Sequence, residues 1–157
     1  EGVITDITTT PTQVAYGALT PNTLYESAQR FTVTTNATEG YQTFMYASMP
    51  FTSTIGTQIS FITASNTAPA AWGTACDTDA SGCYGYHVGD DALSGGSARF
   101  APTDTYAAFE VAPREVAYSS IPVTDDTVDV VYRVLARDLQ PAGLYETNIV
   151  FVTVPSF

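Results

Sequence analysis

Three features of the sequence predict an all-β fold, an antiparallel β-sandwich or jelly roll. Apolar and β-branched residues alternate with polar ones over short runs, the period of a strand with one buried face. Clusters rich in Pro, Gly, Asn and Asp punctuate those runs at short intervals. Polarity comes mainly from Thr, Ser, Asn and Tyr: charged residues are 13% of the chain against 45% hydrophobic and 12% aromatic. A chain of 157 residues with that apolar share can close one stable core.

The elements follow in order. Residues 1–10 form a strand-capable leader, with Val3, Ile4 and Ile7 interleaved with Thr and Asp ahead of a turn at Pro11. A second turn falls at Thr20-Pro21-Asn22. Phe31, Val33 and Thr35 then face one way, and Arg30, Thr32 and Thr34 the other. The segment from Asn36 to Gly40 tolerates left-handed backbone and joins this strand to one over 41–49. Further strands are predicted over 58–63, 106–111 and 145–154, and Val128, Val130, Tyr132 and Val134 alternate with Asp129, Val131, Arg133 and Leu135. Turns are predicted at Ser94-Gly95-Gly96, at Asp125-Asp126, and at Pro141-Ala142-Gly143, where proline fixes φ and glycine supplies a positive one. The run Ile149-Val150-Phe151-Val152 predicts a strand covered on both faces, either central or at an assembly interface. Residues 66–102 read as irregular and hold Trp72, Cys76, Cys83 and His87. No linker or repeat stands out, so 11–157 form one domain.

Charge narrows the partners. Sixteen acidic residues against five basic ones give a net charge of −11, which repels nucleic-acid phosphates and anionic lipid. No apolar run approaches the ~18–20 residues that cross a bilayer as a helix. All five basic residues are arginines, Arg30, Arg99, Arg114, Arg133 and Arg137. Without lysine, neither an intramolecular Lys–Asn isopeptide bond nor lysine-mediated covalent polymerisation is available, so self-assembly must be non-covalent.

Cys76 and Cys83 are spaced to close a short loop as a disulfide, worth roughly 2–3 kcal/mol in the chain-entropy model. That pairing implies an oxidising, extracellular compartment. A zinc site is a poor alternative, because His87 is the only histidine and no second cysteine pair exists. Inside the loop, Asp77-Thr78-Asp79-Ala80-Ser81-Gly82 echoes the start of a calcium loop, with Asp77 and Asp79 two apart and glycine sixth. Val88 stands where such a loop needs its bidentate glutamate, and an acidic turn accounts for the same residues.

No catalytic constellation is legible, and the sequence predicts a protein that is not an enzyme. His87 lies in the strand-like Tyr84-Gly85-Tyr86-His87-Val88, and no GxSxG motif supplies a nucleophile beside it. Glu110 and Asp129 fall in predicted strands, where charges on a solvated sheet face explain them as well as paired carboxylates do. Asn36-Ala37-Thr38 fits the N-glycosylation acceptor pattern in a predicted turn. Trp72 either lids one end of the sandwich or offers a platform for stacking a sugar.

Three segments together carry a resemblance: Tyr16-Gly17-Ala18-Leu19-Thr20-Pro21; Phe31-Thr32-Val33-Thr34-Thr35-Asn36-Ala37 with Gly40-Tyr41; and Gln140-Pro141-Ala142-Gly143-Leu144-Tyr145 before the final strand. The chain resembles secreted bacterial surface β-sandwich proteins of pilin-like type, and each motif encodes turns, not chemistry. The resemblance implies an extracellular, cell-surface location and a β-sandwich fold, while the leader strand points to a structural subunit of a filament or surface assembly whose partners are other copies of itself. Strand exchange through Val3, Ile4 and Ile7 would join the copies of such a homopolymer. The alternative is a secreted carbohydrate-binding or adhesive module, calcium-assisted through Asp77 and Asp79, acting on cell-surface or carbohydrate ligands.

Overall fold

The computed structural model describes residues 8–76, 81–90, 93–94, 96 and 98–157. Val3, Ile4 and Ile7 of the leader and Asp77 and Asp79 of the acidic segment lie outside the described residues. The fold is all-β and sandwich-like, as the alternation predicts, with a single one-turn helix among the described residues.

The chain opens with a hairpin, β1 (Thr8–Thr10) and β2 (Gln13–Ala15), turning at Pro11-Thr12. Two sheets follow. The larger contains β3 (Leu24–Thr35), β5 (Phe51–Ser53), β6 (Gln58–Phe61), β8 (Gly82–Val88), β11 (Val123–Ala136) and β12 (Tyr145–Glu146). They lie in the order β12-β5-β6-β8-β11-β3, and β6 and β8 run parallel. The smaller sheet is β10 (Arg114–Ser119), β4 (Tyr41–Ala47) and β13 (Ile149–Pro155), with β4 central. A two-stranded ribbon, β7 (Ala70–Ala71) with β9 (Thr105–Tyr106), and the helix α1 (Trp72–Ala75) complete the fold.

One core lies between the sheets. Tyr41, Met45, Ala47, Val116 and Ala117 enter it from the small sheet, and Tyr84, Tyr86, Val88, Val128, Val130, Tyr132 and Val134 from the large one. The predicted alternations in β3 and β11 are the ones seen: Val128, Val130, Tyr132 and Val134 are buried while their neighbours are half-exposed. A second cluster of Ile62, Ala64, Trp72, Ala75, Cys76, Cys83 and Tyr106 packs apart from the first. Cys76 and Cys83 form the predicted disulfide, Cα atoms 5.8 Å apart, and both are buried in this cluster; the bond ties the end of α1 to the start of β8.

Several predicted elements are corrected. Residues 66–102 are not simply irregular, because β8 lies within them and sits between β6 and β11. Its alternation is hidden by burial of both faces: a Cβ on Gly85 would come within 2.6 Å of the Ile62 side chain and 2.8 Å of the Ala107 carbonyl. The strand predicted over 106–111 shrinks to β9 and a bridge from Ala107 to Tyr86. Asp125-Asp126 is not a turn but a register shift inside β11, with Asp125 at φ 56°. Such a bulge draws on the same left-handed tolerance as a turn. Gly143 does not adopt positive φ, whereas Gly40 does, at +72°. The strand predicted over 145–154 breaks at Thr147-Asn148 into β12 and β13, which belong to different sheets. Among the described residues β13 pairs only with β4, so there it is an edge strand and not a central one.

Candidate functional site

Among the described residues, the edge of the small sheet at β13 is open. Strand register pairs Ile149 with Ala47 and continues to Pro155 with Tyr41. Flanking bonds run from Ser48 N–H to Asn148 O (3.3 Å) and from Ser156 N–H to Gly40 O (2.9 Å). Ala47 N–H turns the other way and donates to Glu110 O at 3.1 Å. Antiparallel ladders alternate hydrogen-bonded and non-hydrogen-bonded pairs. The even-numbered Val150, Val152 and Val154 therefore exchange main-chain bonds with β4. Ile149, Phe151 and Thr153 aim their N–H and C=O groups outward, and no described residue answers them. Pro155, which has no N–H to lose, falls on the same outward phase.

The side chains at this edge are apolar on both faces. Ile149 and Phe151 lean on the core from its rim. The Phe151 ring meets Phe31 of β3 at 5.6 Å between centroids, and β3 is itself the edge strand of the large sheet. The Phe31–Phe151 contact is thus a seam along one open side of the sandwich. On the opposite face of β13, Val152 and Val154 are 43% and 46% exposed, and they pair with Phe44 and Gln42. Phe157 beyond the strand is 83% exposed. No charged residue occurs from Ile149 to Phe157, although the chain carries −11 overall. Natural edges are usually blunted by charge, bulges or cover. Among the described residues this one has Pro155 alone.

The predicted chemistry-bearing residues are scattered and mostly occupied. His87 donates from Nδ1 to the Thr105 carbonyl at 2.8 Å and packs edge-on to Phe100. Glu110 pairs with Arg114, while Asp129 takes a two-pronged bond from Arg30 at 2.7 Å, which holds its carboxyl below the usual range. Trp72 is buried against Tyr106, with the Arg133 guanidinium 5.4 Å from its ring centre, so it offers no exposed stacking face. Asn36 is exposed just beyond β3, next to the fully buried Ala37. Among the described residues, no group of three or more His, Cys, Asp or Glu side chains is placed to hold a metal ion. None of their helices is long and apolar enough to cross a membrane.

Two polar networks lay beyond sequence reasoning. Glu115, buried on β10, accepts from Gln42 Nε2 (3.1 Å), Ser94 N–H (3.0 Å), Ser94 Oγ (2.9 Å) and Arg99 (3.3 Å). Arg133 pairs with Glu26 and Asp104 and lies 4.1 Å over the Tyr106 ring. Both networks join segments far apart in the chain, and nothing in the local sequence marks them. Both serve the scaffold, with Arg99 Nε buried and without a hydrogen-bond partner among the described residues. No family model, curated protein or solved structure matches the chain.

Proposed function

We propose that the protein is a structural subunit of an extracellular filament or surface assembly, joined without covalent bonds by exchange of its N-terminal strand. The observation that carries this reading is the uncharged, apolar edge of β13, with outward main-chain groups on a strand that lacks the usual protection among the described residues. An edge of this kind is a liability in a monomer and a joint in a polymer. The disulfide supports an oxidising, extracellular setting. The absence of lysine removes the isopeptide routes and leaves non-covalent contacts, of which strand exchange is one.

The hairpin at the start of the described residues supports a shorter exchanged segment than the whole leader of residues 1–10. Thr8–Thr10 pair with Gln13–Ala15 of the same chain, so a strand comprising residues 1–7 can be donated without opening that hairpin. Its Val3, Ile4 and Ile7 would contribute about 5–8 kcal/mol by burial, before ordering costs, at roughly 1.5–3 kcal/mol each. Copies of charge −11 repel one another, and salt screens that repulsion over about 8 Å at physiological strength. Light scattering on the full chain should therefore show assembly that strengthens from low to moderate salt, and a chain lacking residues 1–7 should stay monomeric in both. Monomers at every salt and concentration from the full chain would reject the proposal.

A further inference from the structure

We infer that the acceptor for residues 1–7 is the outward edge of β13 on a second copy, where the incoming strand becomes the fourth strand of the small sheet and caps the Phe31–Phe151 seam. This rests on the proposed strand exchange and names the surface that receives the strand. The edge is long enough to receive a strand: β13 offers seven residues, about 23 Å at ~3.3 Å per residue. Side-chain phase agrees. A strand added beside β13 continues its two faces, one toward the seam and one toward Val152 and Val154. In residues 1–7, Val3, Thr5 and Ile7 share one face, and Ile4 and Asp6 share the other. Val3 and Ile7 would close over Phe31 and Phe151, Ile4 would extend the valine stripe, and Asp6 would stay in water. The receiving strand has no charge to repel Glu1 or Asp6.

Ladder parity makes the inference testable at single amides. Hydrogen exchange of the full chain, quenched and read residue by residue, is compared between dilute monomer and assembled protein. The amides of Phe151 and Thr153 should exchange freely in the monomer and slow at least about tenfold on assembly. Those of Val150, Val152 and Val154, already bonded to β4, should be slow in both. Ile7→Asp in the full chain should weaken assembly by about tenfold or more and abolish the new protection, whereas Thr8→Asp should do neither to that degree. Protection of Phe151 and Thr153 that is independent of concentration would overturn the inference, since the strand would then be supplied within one chain. Assembly with those two amides still exposed would overturn the acceptor assignment while leaving strand exchange standing. Absence of assembly would overturn both.

Discussion

Raising the pH should unfold this protein in one step, because its core is built from tyrosines that cannot ionise in place. Burial pushes the phenols of Tyr16, Tyr84, Tyr86 and Tyr132 far above their ordinary pKa of about 10. Tyr41 and Tyr106 move the same way, chiefly through burial and then through donation to Asp126 and Glu26. Tyr25 shifts down, because its oxygen is hydrogen-bonded first by the Thr20 side chain and then by the Thr20 N–H. For the raised group the folded state holds protons that the unfolded state releases above about pH 10, so stability falls as pH rises past that point. At about pH 11 each phenol held neutral costs about 1.4 kcal/mol, so the first four together cost about 6 kcal/mol. Native domains have about 5–15 kcal/mol in total. Tyrosinate absorbance and far-ultraviolet circular dichroism should therefore change together near pH 11. Gradual ionisation of all ten tyrosines near pH 10, with the β signal retained to about pH 12, would refute the packing described for the core.

Further substitutions probe separate parts of the scaffold. Replacing Cys76 and Cys83 together with serine should cost about 2.5 kcal/mol from the lost loop constraint, plus the packing of two buried sulfurs, read as a lower denaturant midpoint. Gly85→Ala should destabilise by about 1–3 kcal/mol, since Ile62 and Ala107 already fill the space a methyl would need; unchanged stability would mean that β8 is not covered on that face. Glu115→Gln should cost roughly 3 kcal/mol, because Arg99 is left without its carboxylate in a largely buried site, and Gln42→Ala should cost less.

How much of this was legible in the sequence follows from which faces are covered. β3 and β11 have one face in the core and one toward water, so their alternation is plain in the residues. The cysteine pair is local and its spacing suffices. β8 carries no alternation because Gly85 and Cys83 face a second layer while Tyr84 and Tyr86 face the core. β13 misleads in the opposite sense. Its run of Ile149, Val150, Phe151 and Val152 reads as a strand covered twice, yet among the described residues only the core face is covered. The Phe31–Phe151 seam joins residues remote in sequence, and only the sheet order brings them together.

The central claim is that this chain assembles with copies of itself through its leader. Negative-stain electron microscopy of the purified full chain, beside a chain lacking residues 1–7, tests it most directly. The full chain should form uniform filaments, and the shortened chain should show discrete folded particles. Discrete particles from both, or filaments from both, would contradict it.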